Sequence, residues 1–213
     1  MVAAVSSLSG GSSDSGYPVH LTIERNQTIN RLWGIPFFGL VVRWILLLPH
    51  WLILTVLGTV AALSVLISWI PVLFLGRMPT MLFDLYVMTY RWGTRVAAYA
   101  VLMTEAYPPF SLSTPYAVDL SVEPRETINR LWGIPFLGVL AREILLIPQA
   151  IVLFFLGLAV YVVMFVVWIP VLMNGRFPQV GYDLFGGYLR LTARVSFWTL
   201  LMPLPYPPFG PSE

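Results

Sequence analysis

Apolar and polar positions along this chain follow two rhythms. In two short stretches they alternate: Val19, Leu21 and Ile23 are separated by His20 and Thr22, and Val118, Leu120 and Val122 by Asp119 and Ser121. Period-two alternation marks a half-buried strand. A lone strand is not stable by itself, so the two are expected to pair in a small sheet outside the bilayer. Thr28 and Asn30, with Thr127 and Asn129, are placed to cap the helices that follow.

The second rhythm is an unbroken apolar run. From Trp33 to Gly76 about 44 residues carry one charge, Arg43. As one helix they would extend about 66 Å, twice the roughly 30 Å of a hydrocarbon core, so the run must bend. Pro49-His50 supplies the break, and Pro148-Gln149 repeats it. A short first arm is expected from about residue 34 to 48, either a tilted partial span or an interfacial helix. A second, spanning arm is expected from about residue 51 to 75. Trp-Ile-Pro, at 69–71 and again at 168–170, is expected to kink that arm near its end. Gly76-Arg77-Met78-Pro79 then stops the helix and sets a charge at the membrane boundary.

A third helix is expected from about Met81 to Glu105. Asp84, Arg91 and Arg95 fall on one stripe of it, as do Asp183, Arg190 and Arg194 of a matching later segment. Such a helix lies in the headgroup region, or spans with its stripe facing the bundle interior. The interfacial version avoids centring two arginines in lipid, at about 2.5 kcal/mol or more each.

These segments recur. NRLWGIPFFGLVVRWILLLPHW at 30–51 returns as NRLWGIPFLGVLAREILLIPQA at 129–150, and an offset of 99 holds without a gap as far as Tyr107-Pro108-Pro109-Phe110 and Tyr206-Pro207-Pro208-Phe209. The chain therefore reads as a doubled unit: a flexible Gly/Ser-rich tail over 1–18 rather than a secretory signal, repeat 1 over 19–113 and repeat 2 over 114–213. Each repeat crosses an even number of times in either layout, so the copies should be parallel. The expected fold class is an all-α membrane protein of two parallel tandem repeats, each a short strand, a Pro-broken helical hairpin and an arginine-striped amphipathic helix, with about four crossings.

Composition sharpens this. Of 213 residues, 58% are hydrophobic and 10% charged, against about 25% charged in soluble domains. Mean hydropathy is +0.80. All 12 basic residues are arginine, whose planar fork suits phosphate and carboxylate. There is no cysteine, which excludes disulfides and thiolate chemistry.

The stripe is the leading candidate site. Arg91 and Arg95 are like charges one turn apart, and Asp84 lies about 10 Å along the axis, too far to neutralise them. A carboxylate of the other repeat, a lipid phosphate or a partner subunit must do so. Arg43 and Arg142 sit among leucines and are expected to snorkel to headgroups. Trp33, Trp51, Trp69, Trp132 and Trp168 fit interfacial belts. His50 either answers backbone groups freed by Pro49 or ligates a porphyrin-type ring. No metal-ligand set, nucleophile triad, phosphate loop or nucleic-acid stripe is present in the sequence, so no metal or cofactor is expected.

At LFLGRMPTMLFDLYVMTYRWGTRVAAYAVLMTEAYPPF the chain resembles an uncharacterised bacterial integral-membrane family, a domain of unknown function with the pattern LFxGRxP…RWxxRVxAY…YPPF, found singly or in tandem. The resemblance covers both copies and implies no reaction. The second copy departs from it at Arg190-Leu191 and Val195-Ser196-Phe197. The expected function is non-enzymatic: an accessory or scaffold subunit of the bacterial cytoplasmic (inner) membrane, multi-pass, whose arginine-striped helices dock anionic lipid or other membrane subunits. A lipid or small-molecule carrier with its site between the repeats is the alternative, and an integral membrane enzyme the least favoured.

Overall fold

The two alternating stretches form strands β1 (Val19–Ile23) and β2 (Val118–Val122), which pair as expected and do so antiparallel. Leu21 stands opposite Leu120, and Val19 opposite Val122, so residues 99 positions apart face one another at the centre of the ladder. The computed structural model describes residues 17–209, apart from 26, 36–37, 124–126 and 203. Most of the predicted tail lies outside the described residues, but Tyr17 and Pro18 are buried. Tyr17 donates its hydroxyl to Pro205 O at 3.1 Å, and Pro18 O accepts Glu123 N–H at 2.8 Å.

Helices make up most of the remainder. A 3₁₀ turn at Arg31–Gly34 leads to α1 (Phe38–Leu46), α2 (Leu48–Leu75) and α3 (Thr80–Ala100). After β2, a second 3₁₀ turn at Arg130–Gly133 leads to α4 (Leu137–Leu145), α5 (Ile147–Met164), α6 (Trp168–Asn174) and α7 (Gln179–Thr199). Asn30 and Asn129 cap the 3₁₀ turns, each side-chain oxygen accepting an N–H two residues on, at 3.0 Å. The prolines do not break the chain where they stand. Pro49 and Pro148 occupy the first turns of α2 and α5, where a missing N–H costs nothing; the bends fall at Leu47 and Leu146.

Trp-Ile-Pro behaves differently in its two settings. Pro71 lies inside an uninterrupted α2. The second copy breaks at Phe165–Val167 into α5 and α6, and the Val166 carbonyl, four residues before Pro170, accepts Ile169 N–H at 3.0 Å instead. That stretch reads Val162-Val163-Met164-Phe165-Val166-Val167 where copy one has Leu63-Ser64-Val65-Leu66-Ile67-Ser68. Extra β-branching weakens the helix just where proline removes a bond.

The long helix and its broken counterpart end as anticipated, on left-handed Gly76 (φ 66°) and Gly175 (φ 64°). The third helix is shorter than its apolar pattern suggested. It stops at Ala100, with buried Leu102 left-handed at φ 68° and Met103 N–H returning to Ala98 O at 3.0 Å. Leu201 repeats this at φ 59°. A leucine there gives no sequence signal, because the left-handed site normally selects glycine.

Reciprocal contacts knit the halves. Ile29 N–H donates to Gly175 O at 2.8 Å and Ile128 N–H to Gly76 O at 2.9 Å. Gly34 packs against the backbone of Leu172, and Gly133 against that of Leu73. The core lies between the sheet and α3 and α7. Tyr86 bonds Ser64 at 2.7 Å, and Tyr182 donates to Met103 O at 3.0 Å. Outside this core, α2 and α5 are each long and apolar enough to cross a membrane, and only 17% and 6% of their most apolar windows are buried. At nine residues, α1 and α4 are far too short to span.

A Cβ at Gly34 would stand 2.4 Å from Leu172 N, and one at Gly133 2.5 Å from Leu73 N, whereas Gly58 and Gly93 have nothing within 4 Å. Gly34→Ala and Gly133→Ala should each lose about 1–3 kcal/mol by overpacking. Gly58→Ala should be neutral or gain up to about 1 kcal/mol from helix propensity. Thermal unfolding in detergent checks the contrast; equal effects at the three sites would be incompatible with this interface.

Candidate functional site

The stripe arginines meet a carboxylate that the sequence reading had left open among three sources. Arg91 and Arg95 are one turn apart on α3, which packs on β2. Asp119, the second residue of β2, sits opposite both. Arg91 donates Nε to Oδ1 at 2.6 Å and Nη2 to Oδ2 at 2.5 Å, a side-by-side fork on one carboxylate. Arg95 adds Nη2 to Oδ1 at 2.9 Å, then turns Nη1 to Thr114 O at 3.0 Å and Nη2 to Leu112 O at 3.3 Å. Arg95 is 1% exposed and Asp119 29% exposed at the side chain. Two cations on one anion thus fasten α3, β2 and the loop between them.

Burial alone would raise the Asp119 carboxyl. Hydrogen bonds from Arg91 and Arg95, with their charges, outweigh it and hold the group below the usual carboxylate range. Asp84 and Asp183 are not part of the clamp: Asp84 is exposed at the start of α3, and Asp183 pairs with Arg25 at 2.7 Å on the surface. Where copy two has Asp119, copy one has His20. Opposite it, Arg194 is fully buried, its guanidinium carbon 4.9 Å from the Tyr17 ring centre. Arg190, its companion on α7, is half-buried.

Arg43 and Arg142 do not snorkel, because both are fully buried. Arg43 donates Nη1 to Tyr99 O at 2.7 Å and to Thr104 O at 2.6 Å, between the rings of Trp33 (4.8 Å) and Tyr99 (4.3 Å). Arg142 donates to Trp198 O between Trp132 and Trp198. Trp33 and Trp132 therefore serve as faces for buried cations rather than as belt residues. Since Arg43, Arg95, Arg142 and Arg194 are all enclosed, none of the four can reach a headgroup.

His50 is also enclosed. Its Nδ1 accepts Trp92 Nε1–H at 3.0 Å, its ring stacks on Phe110 at 4.2 Å, and its Nε2 is buried without a hydrogen-bond partner among the described residues. Gln149, its counterpart, donates to Pro207 O at 3.2 Å and accepts from Tyr206 at 2.8 Å. Tyr107 and Tyr206 donate to Leu46 O and Leu145 O, at 2.9 and 2.8 Å. The Tyr-Pro-Pro-Phe segments thus pin the α1–α2 and α4–α5 bends. Sequence reasoning missed Asp119 and Trp92. The available signal was the offset of 99, which makes Asp119 an acid without a counterpart in copy one.

Apolar grooves remain among the described residues. One of about 420 Å³ lies between α2, α3 and α7, with Gly58, Ala62, Gly93 and Thr192 in its wall. Another of about 690 Å³ lies between the α1–α2 bend and α5, lined by Trp44, Trp51 and Phe165. No cluster of three metal-ligating side chains occurs among the described residues.

Residues 39–111, from α1 through the first Tyr-Pro-Pro-Phe, match the family described as Domain of unknown function (DUF4389). No curated protein and no solved structure matches the chain.

Asp119→Ala strands two guanidiniums, one of them buried. It should cost about 2–4 kcal/mol, somewhat less than a fully buried pair because the carboxylate is partly wet. The folded pKa is depressed, so the stabilisation is present above the unfolded value and is lost as pH falls through the folded one. Wild type should therefore lose stability on acidification below about pH 4, and Asp119→Asn should show a flatter acid limb from a lower starting point. Unfolding followed by circular dichroism across pH reads both; an unchanged acid limb in the variant would exclude the clamp as its source.

Proposed function

We propose that this chain is a non-enzymatic, multi-pass protein of the bacterial cytoplasmic membrane, acting as an accessory or scaffold subunit that docks other membrane proteins and anionic lipid. The observation that carries the reading is the direction of its polarity. The candidate guanidiniums of Arg43, Arg95, Arg142 and Arg194 are turned inward, while α2 and α5 present almost their whole apolar surface outward. A surface of that kind is covered by lipid or by protein. The two copies are tandem repeats of opposite orientation, with α2 and α5 as single crossings, in place of the expected like-oriented pair with an even number of crossings per copy: the start of α2 lies beside the end of α5, and α7 starts where α3 ends. The symmetric strand register and the reciprocal Ile29–Gly175 and Ile128–Gly76 bonds support that arrangement. Within it α3 and α7 are screened from lipid by the sheet and by α2 and α5.

A second reading is supported by the groove between α2, α3 and α7. Its volume of about 420 Å³ falls within the range of small-molecule sites, and its glycines leave open space where side chains would stand. In that reading the chain carries a lipid chain or small apolar molecule.

Native mass spectrometry of the gently solubilised particle separates the two. The scaffold reading expects a stoichiometric protein partner beside the 24.0 kDa chain. The carrier reading expects a bound small molecule that Gly93→Leu expels. A bare monomer with neither would defeat both.

A further inference from the structure

We infer that Arg31 with Arg176, and Arg130 with Arg77, form two matched outward-facing clamps for the phosphate of anionic phospholipids. This rests on the membrane reading above, but it moves lipid recognition from the stripe to different arginines. The four are exposed and, among the described residues, show no hydrogen bond or ion pair. Each clamp is assembled across the halves. Arg31 follows the cap Asn30 and lies over Gly175, its Cγ 3.5 Å from where a Cβ would stand, beside Arg176. Arg130 lies over Gly76 in the same way at 3.3 Å, beside Arg77. The Ile29–Gly175 and Ile128–Gly76 bonds fix these placements.

Three features select the ligand. Arg31 lies over Gly175, the residue before Arg176, and Arg130 over Gly76, the residue before Arg77, and a phosphate offers oxygens to two guanidinium forks. Among the described residues, the nearby acids are otherwise engaged or stand apart. Glu105 accepts Asn30 N–H at 3.1 Å, Glu24 accepts from Gln27 at 3.1 Å, Asp183 is held by Arg25 at 2.7 Å, and Asp84 is a turn inside α3. The clamps also sit where α2 and α6 end, bracketed by exposed apolar side chains: Leu32 and Met173 at one, Leu131 and Phe74 at the other, each 62–67% exposed. Guanidinium beside bare leucine, methionine and phenylalanine matches the boundary between headgroup and acyl chain. A soluble phosphate compound would have no use for that apolar rim.

The probes are phosphatidylglycerol and phosphatidylcholine in mixed nanodiscs holding the full chain, with retained lipid read by native mass spectrometry. Wild type should retain phosphatidylglycerol preferentially. Each exposed arginine removed should weaken that preference about five-fold. The double variants Arg31→Gln/Arg176→Gln and Arg77→Gln/Arg130→Gln should each lose one of two retained lipids, and the quadruple variant both. Arg25→Gln, at an arginine already paired, should retain both. Quadruple or double variants that melt like wild type yet keep their phosphatidylglycerol would overturn the assignment. Displacement by millimolar inorganic phosphate would overturn it in favour of a soluble anion. Carbonate extraction distinguishes the remaining failure. A chain stripped from membranes refutes the membrane reading and this inference together, whereas an embedded chain without lipid preference refutes only the inference.

Discussion

A single carboxylate holds two guanidiniums at the seam of this molecule, and much of the architecture depends on it. Arg91 and Arg95 stand one turn apart on α3, where they would repel, and Asp119 comes from the strand that opens the second half. Burying Arg95 is tolerable only because its donors are used by Asp119 and by the carbonyls of Leu112 and Thr114. The bonds fix β2 against α3, β2 fixes β1, and β1 lies on α7. A surface salt bridge would not impose such order; a shared, largely desolvated one does.

The other enclosed cations are held less completely: Arg43 Nε and Nη2 and Arg142 Nε find no hydrogen-bond partner among the described residues. Arg43 and Arg142 meet a few backbone carbonyls and the faces of aromatic rings, not carboxylates. They tie the short helices α1 and α4 to the ends of α3 and α7. Polarity is thereby concentrated inside and apolar surface outside, the reverse of a soluble domain.

Much of the layout was legible because it follows from local chemistry. Alternation located both strands, asparagines located the caps, and glycines located the ends of α2 and α6. The offset of 99 identified which residues correspond. Side-chain direction was not legible. A periodic stripe gives a face of a helix, but whether that face meets lipid or protein is decided by the element packed on it, here β2. Arg43 among leucines looked like a snorkelling residue, yet Tyr99 and Thr104 approach from 56 and 61 positions away. The helix ends at Leu102 and Leu201 escaped because no glycine marks them, and of the two kinks expected at Trp-Ile-Pro only the second copy's is a break, at 165–167. Divergence between the copies was visible as letters, such as Asp119 for His20 and Gln149 for His50, but its meaning needed partners from distant elements.

Two halves locked through one antiparallel strand pair, with α3 and α7 running in opposite directions, make a direct claim about sidedness. The chain contains no cysteine, so single reporters can be placed without a background. Thr80 and Gln179 are exposed first residues of α3 and α7, related by the offset of 99. With Thr80→Cys and Gln179→Cys made separately, a membrane-impermeant maleimide applied to sealed vesicles of known orientation should label the two from opposite faces. Labelling of both from one face would contradict the account.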